Sequence, residues 1–348
     1  MSYDPFLRGR FPVGVRTLEL HDEARERRFP VEIWYPAATR HAGRDLDPAA
    51  QDTFALASGE LRKQSAVRDA QTDGGTYPLV VFSHASGHHR RGATYLCTHL
   101  ASHGYVVAAM DHSEIVAPEL GRRDGETAAQ TGARVQAIIA SRVSDVPFLL
   151  DALLDGSAWD SKVRLDFGRI AIAGHSFGGW TALAAPESEP RIRAVAALAP
   201  GGSSNPKPGI IPSRLTFAWG RDVPTLYLVA ENDICVPLAG ERELFERTPG
   251  TKRFFVLRRA DHAHFMDRVE QEHEDARALP WTGALAWMAE EMRPIGEFCP
   301  GEEAHRFTRG LVLAHLDGSL RGMADARRFI DGDVVSECAR RGVTALAG

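Results

Sequence analysis

Cysteine is scarce in this chain: four residues in 348, at positions 97, 235, 299 and 338, with no Cys-x-x-Cys pair. That excludes a disulfide-stapled scaffold and a cysteine-rich zinc module, and it fits free thiols in a reducing cytoplasm. A Cys235–Cys299 or Cys299–Cys338 bridge stays open as the alternative. No stretch approaches 18 uninterrupted apolar residues, so no membrane span is expected. The opening residues, Met1 to Arg10, lack the apolar core of a secretory signal. Surplus positive charge is missing as well. With 41 Lys and Arg against 46 Asp and Glu the net charge is −5, which gives no electrostatic footprint for nucleic acid or an anionic membrane. The short basic clusters at 25–28 and 88–91 read as solvated surface. What remains is 44% hydrophobic and 25% charged, an ordinary soluble composition with a large core, and no repeat or low-complexity tract interrupts it.

The organising stretch is Ile170-Ala171-Ile172-Ala173-Gly174-His175-Ser176-Phe177-Gly178-Gly179. A run of small and β-branched residues predicts a buried strand, and the glycines around Ser176 let a helix begin at once. The pattern Gly-x-Ser-x-Gly is that of a nucleophile elbow, in which the turn thrusts the serine out above the sheet. It leaves the Phe177 N–H where an oxyanion would form, at the positive end of the new helix.

The chain around it alternates strands and helices. Strands at 11–20 and 29–35 suggest an antiparallel hairpin, and residues 36–77 a polar excursion with a helix near 52–68. Strands follow at 78–83, 105–110, 169–173, 194–198, 225–229 and 253–257, with helices at 92–103, 127–140, 144–154 and 281–292. This predicts a mainly parallel central sheet with helices on both faces, and active groups just past the strands' carboxyl ends.

Three loops at such ends carry candidate chemistry. Asp233, after the 225–229 strand, is suited to accept a histidine Nδ1–H and fix its tautomer; Glu231 is the competing carboxylate. After the 253–257 strand stand His262 and His264, either of which could serve as base, with His262 preferred because it comes first. His-x-His could also be half of a metal site, but no third ligand stands beside it in sequence, so no metal and no cofactor are expected. After the 78–83 strand the loop Ser83-His84-Ala85-Ser86-Gly87 places the Ser86 N–H as the second oxyanion donor, with His84 bracing the loop and His88 at its rim. Residues 201–223 carry Ile210, Ile211, Leu215, Phe217 and Trp219, and with Trp180 they offer either an apolar lip for substrate or ordinary packing.

Taken together, Ser83 to Gly87, Leu100 to Ala109, Gly174 to Gly179, the opening Phe11 to Gly14 with Val31 to Pro36, and Arg142 to Asp151 resemble the platelet-activating-factor acetylhydrolase and dienelactone-hydrolase-like branch of the α/β-hydrolases, over about residues 10–292. The resemblance implies an α/β-hydrolase catalytic domain, taken as 1–292. Beyond it, helical segments near 303–316 and 318–330 read as an appended helical C-terminal extension, 293–348, packed on the same domain, with a cover over the site and a dimer contact as the other roles open to it. The resemblance also implies a serine esterase acting through an acyl-enzyme, with Ser176 as nucleophile, His262 as base and Asp233 as the orienting acid. The chain departs from the branch in three places. Dienelactone hydrolases carry a Cys nucleophile where Ser176 stands. The acid of acetylhydrolases follows the strand after the elbow, where this chain reads Ala197-Leu198-Ala199-Pro200. The usual His-Gly of the oxyanion loop is His84-Ala85. The expected partner is a small-molecule ester and the expected state a monomer or homodimer. An amidase, peptidase or thioesterase on the same triad, or a non-catalytic binding protein of this fold, are the other readings.

Overall fold

Alternating side chains make the first hairpin. Val13–Asp22 (β1) and Arg27–Pro36 (β2) pair antiparallel, with Val13 opposite Pro36 and Asp22 opposite Arg27. These elements come from a computed structural model that describes residues 3–56, 58–112, 125–156 and 163–348. The chain divides into two compact units, Leu7–Ala171 and the remainder, Ile172–Gly348 with the residues up to Phe6.

In the Leu7–Ala171 unit the helix expected near 52–68 is absent. Asp52–Ala55 (β3) and Leu61–Gln64 (β4) form a small antiparallel pair, and Val67–Arg68 (β5) lies parallel to β1. The reason is a period of two: Asp52 and Phe54 turn inward while Thr53 and Ala55 face water. A buried polar network holds that register. Arg68 Nε donates to Asp52 at 2.8 Å, Gln64 Nε2 donates to Asp52 at 2.7 Å, and Trp34 Nε1 donates to Gln64 at 2.6 Å. Gly75–Ser83 (β6), Thr94–Ser102 (α1) and Val106–Met110 (β7) follow as expected, and the strands lie in the order β6-β7-β2-β1-β5.

The two helices expected at 127–140 and 144–154 are one, Ala128–Leu154 (α2), opened by a Thr127–Gln130 capping box. The helix runs on through 141–143, and its polar residues Arg142 and Asp145 are fully buried and bonded inside the unit. Val163–His175 (β8) carries the chain from one unit into the other.

The second unit runs Phe177–Ser188 (α3), Ile192–Leu198 (β9), Thr225–Ala230 (β10), Leu238–Arg247 (α4), Lys252–Leu257 (β11) and Val269–Arg277 (α5). β9, β10 and β11 are parallel neighbours. The helix expected at 281–292 shrinks to a 3-10 turn and Trp287–Glu291 (α6). Beyond it lie Gly301–Ser319 (α7), Ala324–Ile330 (α8) and Val334–Ala339 (α9). The chain ends in a strand that a purely helical extension would not have: Ala345–Ala347 (β12) pairs antiparallel with β11. α7 buries Ala304, Phe307 and Thr308 at a three-four spacing and then every residue from Gly310 to Gly318, so its second half is buried all round, and it packs on β9 and β10. None of the four cysteines is in a disulfide. Among the described residues no helix is long and apolar enough to cross a membrane.

Candidate active site

Ser176 sits between β8 and α3 with φ +57° and ψ −117°, a left-handed conformation that costs a non-glycine residue about 1–3 kcal/mol. Neighbouring backbone holds the strain. Ser176 N–H donates to Leu198 O and Gly201 N–H donates to Ser176 O, each at 2.9 Å. The glycine two past Phe177 is required by space, because a Cβ on Gly179 would lie 2.8 Å from Pro200 Cα. The elbow is therefore built by local backbone, and its product is a serine side chain displayed at a strand end.

Two further strand ends meet it within the same unit. Past β11, Asp261 caps the 3-10 turn His262–Phe265, accepting from the Ala263 N–H at 3.0 Å. That turn places His262 Nε2 2.8 Å from Ser176 Oγ and His262 Nδ1 2.7 Å from Asp233 Oδ2. Past β10, Asp233 is only 5% exposed, and its other oxygen accepts from the N–H groups of Cys235 and Val236 at 2.8 and 2.9 Å. The carboxylate is thus fixed by its own turn. Its charge assigns the imidazole proton to Nδ1 and leaves the Nε2 lone pair facing the serine. Burial alone would push the His262 pKa down. The charge of Asp233 and its hydrogen bond outweigh that, so His262 titrates above an ordinary histidine.

The competing residues are elsewhere. Glu231 accepts from Arg258 Nε at 3.2 Å and from the Arg259 N–H at 2.9 Å. His264 is fully buried, with Nδ1 2.7 Å from Asp261 and Nε2 3.1 Å from Cys299 O. Trp180 and Trp219 are buried; their indole N–H groups donate to Arg214 O at 3.1 Å and Leu183 O at 3.2 Å, which ties the 201–223 loop to α3. Phe217 is half-buried edge-on to Trp219, and Phe177 stacks on Trp180 at 5.3 Å. Ser86 and His88 lie half-buried on the loop after β6 in the other unit, where the His88 N–H donates to Ala85 O at 3.2 Å.

Two features escape the sequence pattern. The ring of His175, inside the Gly-x-Ser-x-Gly motif, lies 4.7 Å from that of His262. In the Leu7–Ala171 unit a second Ser–His–Asp line exists: His112 Nε2 is 2.9 Å from Ser83 Oγ and His112 Nδ1 is 2.6 Å from Asp145. Its members are 0%, 2% and 0% exposed. Arg142 donates to Ser83 Oγ at 3.3 Å and to His84 O at 2.8 Å, while Arg25 and Arg27 pair with Asp145. Two such lines with the same spacing differ in access. Only Ser176 combines a reachable imidazole, 18% exposed, with an elbow backbone.

The profile of the family Platelet-activating factor acetylhydrolase, isoform II, matches residues 46–119. Across 90% of this chain and 92% of its own, a ferulic acid esterase from Streptomyces cinnamoneus superposes with a TM-score of 0.62 at 24% identity. The chain has the α/β-hydrolase fold. It has that fold's mainly parallel sheet with helices on both faces, its N-terminal antiparallel hairpin and helices at its C-terminal end. In sequence the chain is similar to Cutinase est1 of Thermobifida alba, 24% identical over 229 residues, 65% of this chain and 66% of that one. It is also similar to the Platelet-activating factor acetylhydrolase of Cavia porcellus, 26% identical over 219 residues, 53% of this chain and 49% of that one. The matches thus span between about half and two thirds of these relatives' lengths.

Proposed function

We propose that this α/β-hydrolase cleaves carboxylic esters through an acyl-enzyme on Ser176. The observation that carries the reading is the unbroken line Ser176 Oγ to His262 Nε2 at 2.8 Å, then His262 Nδ1 to Asp233 at 2.7 Å. His262 takes the serine proton as Oγ attacks the ester carbonyl, and returns it to the departing alkoxide. Water then enters by the same base to release the acid. Asp233 keeps the imidazole in the one tautomer that can accept, and stabilises the imidazolium while it carries the proton. The oxyanion donors in this reading are the backbone N–H groups of Phe177, at the first turn of α3, and of Ser86, on the ground of its place after β6. The relatives support an ester as substrate, since a cutinase and an acetylhydrolase both act on ester bonds. The apolar lip for the acyl or alkyl part is assigned to the 201–223 loop, which leaves the elbow at Gly201 and carries the half-buried Phe217. Its anchors are Trp180 and Trp219, and His88 is placed at the rim. No cofactor enters the chemistry, and nucleic acid has no part in it. A monomer or homodimer in a reducing cytoplasm is the setting we assign.

The test is hydrolysis of p-nitrophenyl esters from acetate to palmitate by wild type and Ser176→Ala. Turnover lost in the variant, with the far-UV spectrum unchanged, is the expected result; undiminished turnover refutes the assignment. The chain-length optimum then reads out the depth of the acyl site.

A further inference from the structure

Beside the triad stands a thiol that ester hydrolysis does not use. Cys235 Sγ, a carboxylate oxygen of Asp233 and a ring nitrogen of His262 all lie within 4.8 Å of one another. These ligands come from the β10 and β11 loops, so no local spacing announces them. The partner that matters to His262 is not the neighbouring His264, which is committed to Asp261 and Cys299 O.

We propose that Cys235, His262 and Asp233 form a capture site for a divalent cation of the zinc class, and that a bound cation switches the hydrolase off. The inhibitory half rests on the reading of His262 as the base. The donor set selects the ion class: one sulfur, one nitrogen and one oxygen suit Zn²⁺ or Co²⁺, whereas Ca²⁺ and Mg²⁺ prefer all-oxygen shells. Bonds of about 2.0–2.3 Å to zinc bring ligand atoms to roughly 3.2–3.8 Å from one another, so Cys235 Sγ has to draw in by up to about 1 Å while the 2.7 Å pair of His262 Nδ1 and Asp233 Oδ2 opens by about 0.5 Å. Rotation of Cys235 within its turn is the motion available, because Asp233 is pinned by two backbone N–H groups. Three protein ligands leave a fourth position for water. A cation can reach it, since Cys235 is half-buried and the His262 side chain is 18% exposed.

The protons balance. Cys235 releases its thiol proton to solvent as the thiolate binds the metal. His262 gives up its Nδ1 proton, ligates through Nδ1 and takes a proton at Nε2, so one proton leaves per cation bound. In that tautomer Nε2 has no lone pair for the Ser176 hydroxyl. The nucleophile is present but unactivated.

Cobalt gives a readout independent of ester hydrolysis, because a thiolate–Co²⁺ bond absorbs in the near ultraviolet. Titration of Co²⁺ into wild type and into Ser176→Ala is expected to raise this band to one equivalent, with Zn²⁺ abolishing it. Cys235→Ser and His262→Gln are both expected to lack it, each checked for a native far-UV spectrum. In parallel, Zn²⁺ inhibition of p-nitrophenyl acetate hydrolysis should weaken at least about 10-fold in Cys235→Ser relative to that variant's own metal-free rate. No band in wild type, or a band that survives in Cys235→Ser, overturns the proposal. A band without ester turnover in wild type leaves the cation site standing and removes the esterase reading. Turnover without a band does the reverse.

Discussion

The proton on His262 Nδ1 is held by a carboxylate that cannot turn away, because Asp233 spends its second oxygen on the N–H groups of Cys235 and Val236. The consequence belongs to single residues. The proposed hydrolysis requires neutral His262, and Asp233 raises its pKa above the ordinary 6.5 against the opposing effect of burial. The rate should therefore fall as pH drops through a value above 6.5, not below it. Asp233→Asn should lower kcat by roughly 10⁴-fold, the cost of losing the productive tautomer. In its residual activity the acid limb should move to lower pH, since burial remains and the raising charge is gone. A pH–rate profile of both proteins checks this, and an acid limb that stays in place would show that Asp233 does not act on His262. At this scale much was legible: Ser176, Asp233 and His262 each announce themselves as polar residues just past an apolar strand. The second serine line was not legible. Ser83, His112 and Asp145 are the same residue types, and what separates the two lines is burial, which depends on the Arg25, Arg27 and Arg142 side chains gathered around them from distant segments.

One element carries the base, and it is fastened by a buried ionic cluster. Asp261 caps the turn bearing His262 and also faces two histidine Nδ1 atoms, His264 at 2.7 Å and His273 of α5 at 2.5 Å. His273 Nε2 meets Arg293 O at 2.7 Å. Both ring nitrogens of His273 face acceptors, an arrangement that favours the doubly protonated ring. Burial opposes this, but the hydrogen bond and charge of Asp261 raise the His273 pKa; those of His264 and His273 in turn depress the Asp261 pKa despite its burial. Raised in the fold, His273 stabilises below its unfolded value near 6.5 and loses that contribution as pH rises through the folded value. Depressed in the fold, Asp261 stabilises above its unfolded value near 3.8 and loses that as pH falls through the folded value. The two windows overlap between about pH 4 and 6.5. His273→Gln should then cost about 1–3 kcal/mol near pH 5.5 and markedly less at pH 9, read from urea unfolding at each pH. An equal loss at both would mean that the ring acts by packing on Phe298 and not by charge. This cluster was hidden in the sequence because its members reach from 261 to 293. The β3–β4 pair was hidden for a different reason. Asp52 and Gln64 are buried, the first ion-paired with Arg68 and the second hydrogen-bonded to Asp52, yet both look like surface residues until Arg68 is seen beside them.

At the scale of the whole molecule, the stretch after residue 292 is the part whose role the sequence left open, and its longest helix is buried against the sheet. Phe307, Leu311, Val312, Leu313 and Leu316 of α7 are all 0% exposed, and the helix lies on β9 and β10, the strands that flank the elbow and carry Asp233. His305 Nε2 donates to Met266 O at 2.7 Å, next to the turn that bears His262. β12 closes the edge of β11 that would otherwise present unpaired backbone. Composition gave no hint of this, because the first turns of α7 are charged and the continuous burial of Gly310 to Gly318 takes in the polar His315 and Asp317. Leu311→Ala should cost about 2–5 kcal/mol, a large part of the roughly 5–15 kcal/mol that holds a domain folded, because the neighbours of a fully buried leucine relax only in part. Ending the chain after residue 292 removes that whole face together with the last strand. The shortened protein is expected to show no cooperative thermal transition and to expose its strands to aggregation. Calorimetry and sedimentation of the 1–292 chain check this. A soluble, cooperatively melting 1–292 that still hydrolyses p-nitrophenyl acetate would make the tail an accessory, and would move the support of the Asp233 and His262 loops onto their own turns alone.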